Sequence, residues 1–247
     1  MQRKITTIAF VVVVSMVLVA CGANGSAAPD AAPAKIDDWG KDLGYCYNPY
    51  FPIRADRTWT YNILAEDTSE TYAITYKDIS QDAFTTVQTF STLTSEVRWN
   101  CGPEGLLSNE YANFNLLEQE NISFETIELS GVFLPPVEQW QVGYTWQTSY
   151  KVKLNTTVEG FTVEAEAEVI LDHVLSAYEE VSVAAGTFPQ AARVDTNGVM
   201  NLSFFGETTE IPLVYSDWYA RDVGLVKSGS ESAENMLTYY TELVSFE

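Results

Sequence analysis

Three cysteines carry the most specific chemistry in this 247-residue sequence: Cys21, Cys46 and Cys101. Cys21 ends the stretch Leu18-Val19-Ala20-Cys21, which has the pattern of a bacterial lipobox, a small residue before a cysteine whose thiol is acylated after cleavage. In an exported chain with an odd number of cysteines, one cysteine has no partner for a disulfide within the chain. We therefore expect a lipid on Cys21 and a disulfide between Cys46 and Cys101, with two free buried thiols as the alternative.

Catalytic chemistry has little support in the sequence. His173 is the sole histidine, so a Ser-His-Asp triad would have to use it. The sequence has no G-x-S-x-G motif for a nucleophilic serine, and no P-loop, dinucleotide-binding or C-x-x-C motif. We expect a structural role for His173 and no catalytic residue. An acidic pair like that of a glycoside hydrolase is the enzymatic alternative, since the chain has 34 acidic side chains.

A row of carboxylates offers the one candidate for cation binding. Glu164, Glu166 and Glu168 alternate with apolar residues from Val163 to Leu171. Oxygen ligands of this kind suit Ca²⁺. Same-face residues of one strand are about 7 Å apart, however, which is too far for two neighbours to share an ion without other ligands. We therefore predict a solvated outer strand face, with no metal and no cofactor.

Aromatic side chains are the candidate ligand-binding groups. A concave site for a sugar or a lipid could be lined by Trp59, Trp146, Trp218 and Tyr219. The alternative is that these rings, together with Trp99 and Trp140, fill a β-sheet core, where aromatic residues are common.

The N-terminal elements would place Cys21 at a membrane. Residues 1–20 combine a basic start with an apolar run and are typical of a lipoprotein signal peptide. The run is shorter than the roughly 20 residues of a transmembrane helix, so an uncleaved anchor is the weaker alternative. Residues 21–38 are small and polar and predict a flexible tether. The predicted location is extracytoplasmic, on the cell membrane, or on the outer membrane if the source has one.

The rest of the chain, 39–247, shows the period-two alternation of antiparallel β-strands. We predict an all-β fold, a large curved antiparallel sheet or half-open barrel with at most a short helix. Two similar halves, 39–130 and 131–247, are an alternative organisation of this domain. Segment 109–120 fits a strand or a short helix, and Asn197-Gly198 is a hairpin signal within an otherwise long strand.

The charge of the chain excludes one class of partner. The formal net charge is −21 at pH 7. Such a charge repels the phosphate backbone of nucleic acids, so we predict no nucleic-acid binding.

Four sequence segments carry a family resemblance: Tyr50-Phe51-Pro52-Ile53, Trp59-Thr60-Tyr61, the stretch 183–188 around Gly186-Thr187-Phe188, and the stretch 218–227. In these segments the chain resembles a loose group of bacterial secreted lipoproteins without an assigned function. The resemblance implies a curved antiparallel sheet like that of LolA/LolB-type lipoprotein carriers, whose concave side holds acyl chains. A similar fold does not by itself imply a similar function.

Together these features predict a membrane-anchored, non-catalytic lipoprotein that binds an apolar small molecule, a lipid or a partner protein of the cell envelope. The alternative from another class is a hydrolase of envelope glycans that uses an acidic pair.

Overall fold

The structure is a computed structural model that describes Gly40 and residues 42–65, 68–109, 122–158, 161–204, 206–230 and 239–247. All described residues belong to one compact unit, Ala34–Glu247. The predicted signal peptide, the lipidated Cys21 and the tether lie outside the described residues, and so does all but one residue of segment 109–120.

The described residues form one 12-stranded sheet in which every pairing is antiparallel. Its strands are β1 Trp59–Ala65, β2 Thr68–Lys77, β3 Ala83–Thr89, β4 Thr94–Gly102, β5 Gly105–Ser108, β6 Ile122–Gly131, β7 Thr145–Val158, β8 Phe161–Val183, β9 Gly186–Phe204, β10 Glu207–Ala220, β11 Gly224–Gly229 and β12 Tyr239–Phe246. The described residues also include two 3₁₀ turns, Gly44–Cys46 and Val137–Gln139.

The sheet is nearly closed into a barrel. Its strand order is β5-β4-β3-β2-β1-β12-β11-β10-β9-β8-β7-β6, so β12 pairs with β1 and the two edges are β5 and β6. Those edges approach each other where Leu106 of β5 forms a bridge with Leu134, just after β6. The Leu106 N–H donates to Leu134 O at 2.8 Å, and the Phe133 N–H donates to Leu106 O at 2.7 Å. The predicted all-β fold is confirmed.

The inner face of the sheet is identified by its largest apolar cluster. Phe84 of β3, Leu106 of β5, Leu175 of β8, Val194 of β9 and Tyr219 of β10 are buried in that one cluster. Because these strands are spread along the whole sheet, their side chains can meet only on a concave face. Residues directly opposite in an antiparallel pair share a face, so the strand register extends this assignment along each strand.

The alternation predicted for 163–171 is present in β8. Ala167, Val169 and Leu171 point inward and are buried, whereas Glu164, Glu166 and Glu168 are exposed on the outer face. The neighbouring strand β7 supplies two lysines to these carboxylates. Lys153 Nζ lies 3.1 Å from Glu164 Oε2, and Lys151 Nζ lies 3.8 Å from Glu166 Oε2.

The hairpin signal Asn197-Gly198 does not break its strand, because β9 runs without interruption from Gly186 to Phe204. Gly198 lies opposite Leu171 of β8. A Cβ at Gly198 would lie 2.6 Å from Leu171 Cδ2, so the neighbouring leucine occupies the space that a side chain would need. Gly198 therefore allows close packing between two strands, and it does not form a turn.

One end of the barrel is closed by the segment that precedes β1, residues 42–58, which we call the end plug. Its Cys46 is bonded to Cys101 of β4, with the Cα atoms 5.0 Å apart. Tyr50 stacks on Trp140 with ring centroids 4.0 Å apart. The buried Asn48 donates from Nδ2 to Pro135 O at 3.1 Å. The end plug therefore ties β4 to the connection between β6 and β7.

We predict that Gly105→Ala weakens the contact between the two sheet edges. Gly105 has φ +130°, and a Cβ there would lie 2.2 Å from Leu134 O. Overpacking and backbone strain together are expected to lower the free energy of unfolding by about 3 kcal/mol. Urea unfolding followed by tryptophan fluorescence measures this difference.

The matched control is Gly102→Ala at the other end of the same tight hairpin. A Cβ at Gly102 meets no atom within 4 Å, so the expected change is below roughly 1 kcal/mol. Equal losses in the two variants would contradict the proposed role of the Leu106–Leu134 bridge.

Candidate functional site

A buried histidine lies on the inner face, midway along the long strands. His173 Nε2 of β8 is 3.1 Å from Thr148 Oγ1 of β7, and Nδ1 is 2.8 Å from Thr196 Oγ1 of β9. The Thr148 hydroxyl donates its single hydrogen to Val132 O, so it accepts the hydrogen bond from Nε2–H. Nδ1 then accepts from the Thr196 hydroxyl. Both ring nitrogens are thus occupied by threonines, and the ring also stacks on Trp146 at 5.1 Å.

The environment of His173 keeps the imidazole neutral. Burial lowers the pKa of His173 to about 4, against a smaller opposing effect of the Asp172 carboxylate. His173 is only 5% exposed, and Thr196 is only 1% exposed. Neither group is accessible to a substrate, so the arrangement supports the predicted structural role of His173 rather than proton transfer.

The histidine belongs to a longer line of polar inner-face residues, which we call the polar row: Thr148, His173, Thr196, Asp217, Ser228 and Thr241. The strand register places His173 opposite Thr196, Asp217 opposite Ser228, and Ser228 opposite Thr241. All but Asp217 are buried, and Asp217 is half-buried. The row crosses the inner face from β7 to β12.

Asp217 is the ionisable acid of the polar row. Burial raises the pKa of Asp217 to about 6, although hydrogen bonds from Ser228 and Tyr219 act in the opposite direction. The Tyr219 O–H donates to Asp217 Oδ2 at 3.4 Å. The pKa of Tyr219 is itself raised well above its ordinary value, first by burial and then by the neighbouring Asp217 carboxylate.

The polar row separates two apolar regions of the interior. Toward the end plug lies the aromatic-rich cluster that contains Leu175, Val194 and Tyr219. On the other side of the row lies a second cluster, whose buried members are Tyr150, Val152, Val169 and Leu171, with the partly buried Leu129, Met200 and Leu213 packed against them. We call this second region, with the inner-facing Leu154, Leu202 and Ile211 that continue it, the apolar inner face.

The apolar inner face is incompletely covered. Leu154, Met200, Leu202, Ile211 and Leu213 are each neither buried nor fully exposed. The register aligns Met200 with Val169 on one side and with Ile211 on the other. A continuous aliphatic surface therefore lines β6 to β10 beyond the polar row, with part of its area accessible.

The four aromatic residues predicted to line a ligand site do not come together. Trp59 and Tyr219 are each 3% exposed and pack in two different apolar clusters. Trp146 is half-buried and donates from Nε1 to Phe133 O at 3.2 Å. The predicted core role of aromatic rings describes Trp59 and Tyr219, and also Trp99 and Trp140.

Trp218 lies on the outer face, with its polar and aromatic groups engaged by neighbours. Its Nε1 donates to Glu179 Oε1 at 2.6 Å. The guanidinium of Arg193 and the ammonium of Lys227 each lie 5.6 Å from its ring centroid. The Trp218 ring therefore makes intramolecular cation–π contacts on the outer face of the barrel.

The sequence segments that carry the family resemblance lie close together at the end of the barrel that the end plug closes. Trp59 Nε1 donates to Val223 O at 2.7 Å, and the Tyr61 O–H donates to Leu225 O at 3.0 Å. Pro52 Cδ lies 3.1 Å from the position of a Cβ on Gly224. The Ala185 N–H, in the turn between β8 and β9, donates to Leu243 O at 3.1 Å. The contacts of these segments therefore stabilise the plugged end of the barrel.

The described residues show neither a metal site nor a membrane-spanning helix. Within the described ranges, no group of three or more His, Cys, Asp or Glu side chains is arranged to hold a metal ion. In the same part of the chain, no helix has the length and apolar character needed to cross a membrane.

The polar row was not predicted from the sequence, although a signal for it exists. His173 follows Val169 and Leu171 at the inward-facing spacing of β8, and Thr196 follows Ala192 and Val194 in the same way in β9. A polar residue in the apolar phase of a strand indicates a buried hydrogen-bonded group. Which of these residues become neighbours depends on the strand register, which one strand alone does not reveal.

We predict that His173 makes the protein less stable as the pH falls. The unfolded histidine has a pKa near 6.5 and the folded one near 4, so between these values the unfolded state binds more protons. Acidification from pH 7 to pH 4 should therefore cost about 3 kcal/mol through this residue. His173→Gln should lack this contribution when urea unfolding is measured across the range. An unchanged pH slope in His173→Gln would rule out the buried neutral imidazole.

Asp217 is predicted to act with the opposite sign. Its folded pKa is raised, so its contribution to stability is present at low pH and is lost as the pH rises through about 6. Asp217→Asn should therefore gain stability relative to the unmodified protein between pH 4 and pH 7. Asp195→Asn is the control on the outer face. Burial opposes ionisation of Asp195, but hydrogen bonds from Ser216 and Arg193 lower its pKa overall. The ordinary pKa of an aspartate is 3.8, so the stabilisation from a carboxyl whose pKa is lowered is nearly complete at pH 4. Asp195→Asn should therefore show little change in stability relative to the unmodified protein between pH 4 and pH 7, and a gain as large as that of Asp217→Asn would contradict the assignment.

Comparisons with known proteins identify a shared fold. No protein-family model and no curated protein matches the chain. Two solved structures do match: a Bacteroides fragilis protein predicted to be exported, with a YmcC-like fold (TM-score 0.51, 15% identity), and a Parabacteroides distasonis protein predicted to be a lipoprotein (TM-score 0.52, 16% identity). Each match covers 80% of this chain and 98% of the other. The chain is thus similar in fold to YmcC-like proteins, and its likeness to LolA/LolB-type carriers stays a prediction.

Proposed function

We propose that the protein is an exported, non-catalytic lipoprotein that is held at a membrane by a lipid on Cys21 and binds an apolar molecule on its inner face. The lipobox-like stretch Leu18-Val19-Ala20-Cys21 and the tether 21–38 support the anchoring. The names of the two structural neighbours, one exported and one a lipoprotein, support the same location.

The partly accessible apolar inner face is the observation that carries the binding proposal. A sheet interior that only stabilised the fold would be expected to bury its central aliphatic side chains, as Leu106, Leu175 and Val194 are buried beside the end plug. Met200, Leu202 and Leu213 instead keep part of their surface accessible. Covering apolar area is worth about 25 cal/mol per Å². An acyl chain or another elongated apolar molecule along β8, β9 and β10 would gain this free energy.

The polar row would limit how far such a ligand extends toward the end plug. It lies between the filled interior beside the end plug and the apolar inner face. The hydroxyl and imidazole groups of Thr148, His173 and Thr196 bond to one another rather than presenting free partners. An apolar chain would therefore end at the polar row instead of continuing toward the end plug.

The glycan-hydrolase alternative gains no comparable support. It would require two facing carboxylates beside an accessible tryptophan. Trp218, on the outer face, instead donates to Glu179 and packs against Arg193 and Lys227.

We predict that Met200→Asp abolishes lipid retention. Asp at this inward position would place a carboxylate on the apolar inner face, where an acyl chain would have to desolvate it. The protein without residues 1–21 is purified and its co-purifying lipids are measured by mass spectrometry. Retained lipid should fall by roughly tenfold or more in the variant.

The control is Val199→Asp, which introduces the same charge at the adjacent, outward-facing and also half-buried position. It should retain lipid, and added oleate should raise its melting temperature as much as we expect it to raise that of the unmodified protein. Leu213→Gln provides a second, milder inner-face change. No lipid above background in the unmodified protein, or equal retention in Met200→Asp and Val199→Asp, would refute inner-face binding and favour the partner-protein role.

A further inference from the structure

The end plug carries a second concave feature, on the outside of the molecule. A surface depression of about 630 Å³ is lined by Gly44, Tyr45, Gln81 and Asp82. Gly44 and Tyr45 belong to the 3₁₀ turn of the end plug, and Gln81 and Asp82 belong to the connection between β2 and β3. The volume lies within the range of about 300–1,000 Å³ found for small-molecule sites.

Tyr45 is the aromatic residue that lines this depression. Its side chain is 59% exposed, the highest value, shared with Val142, among the large apolar residues of the described chain. Single exposed apolar residues are common and need no explanation by themselves. Tyr45 differs in having a rigid support and polar neighbours. Tyr47, two residues on, instead packs its ring toward the backbone of Gly40.

The backbone that presents Tyr45 is fixed from several directions. The Tyr45 N–H donates to Gln81 O at 3.0 Å. The next residue, Cys46, is fully buried and is bonded to Cys101. Gly44 has φ +55°, and a Cβ there would lie 2.9 Å from both Cβ and the carbonyl oxygen of Gln81, so the turn lies directly against that residue. A ligand that binds there would not have to order the backbone that carries the ring.

Two of the other residues that line the depression, Gln81 and Asp82, carry planar polar side chains. Asp82 is held by a hydrogen bond from Ser80 Oγ to Oδ1 at 2.8 Å, and its backbone oxygen accepts from the Cys101 N–H at 2.7 Å. In the part of the chain that the structure describes, Asp82 Oδ2 and the Gln81 carboxamide have no hydrogen-bond partner. Together they offer an acceptor and an amide that both donates and accepts.

We infer that this depression, the Tyr45 site, binds a saccharide unit. One face of a pyranose ring presents C–H groups that pack on an aromatic ring, while its neighbouring hydroxyls pair with planar carboxylate and carboxamide groups. Tyr45, Asp82 and Gln81, which all line the Tyr45 site, supply these three recognition elements. The ligand class is therefore a neutral or N-acetylated sugar, bound independently of the apolar inner face.

Other ligand classes fit the Tyr45 site less well. A divalent cation would need several oxygen ligands, whereas Asp82 is the single carboxylate among the described residues that line the depression. An anionic ligand would meet the Asp82 charge and the overall charge of −21. The mixture of an exposed ring with an acceptor and an amide favours a polyol.

The test uses the full chain, purified in a detergent without a sugar headgroup. Chitotriose, cellotriose and maltotriose are titrated by saturation-transfer difference NMR and calorimetry. At least one trisaccharide should bind, with saturation transferred to ring C–H groups. Tyr45→Ala and Asp82→Ala should each weaken that binding by roughly tenfold or more. Tyr45→Phe should bind nearly as well as the unmodified protein, because the stacking ring is kept.

The control is Phe204→Ala, which removes another exposed ring, 41% accessible, from the far end of β9. It should leave saccharide binding unchanged. Thermal unfolding of each variant checks that the fold is retained. The Tyr45 site is overturned if none of the three saccharides binds, or if Tyr45→Ala binds as tightly as Phe204→Ala.

Discussion

The backbone hydrogen bonds between Leu106 and residues 133–134 are the constraint on which the rest of the structure depends. They bring together the two edges of a sheet that already joins β1 to β12, so the interior becomes a concave space with a defined inside. An unpaired edge is also a site for unwanted strand addition, and this contact limits it. The end plug reinforces the same place, because Cys46 is bonded to β4 and Asn48 donates to Pro135.

Within that interior, the polar row separates the region that stabilises the fold from the region where we propose that a ligand binds. Burying His173 and half-burying Asp217 disfavours their charged forms, as the directions of their pKa shifts show. On one side of the row, aromatic rings and the disulfide fill the space beside the end plug. On the other side, aliphatic residues such as Met200 and Leu213 keep part of their surface accessible. In the proposed function, the long strands β7 to β10 would stabilise the fold at one end and bind the ligand at the other.

Local patterns in the sequence predicted the strand type, and long-range geometry determined the rest. The alternation around Val169 and Glu168 is a property of one strand and could be recognised directly. Cys46 and Cys101 were paired by elimination, and they are bonded in the structure. The polar row requires the register of six strands, which no single strand encodes. Gly198 was ambiguous for the same reason, because only the position of Leu171 shows why a glycine stands there.

The central claim is that an apolar ligand occupies the inner face beyond the polar row and does not reach the plugged end. Methyl NMR spectra recorded with a spin-labelled fatty acid test it most directly, since a bound spin label broadens nearby methyl signals. We predict strong broadening for Met200, Leu202 and Leu213, and none for Leu106 and Leu134 in the filled interior. Broadening of Leu106 and Leu134, or no broadening of the inner-face methyls, would contradict the claim.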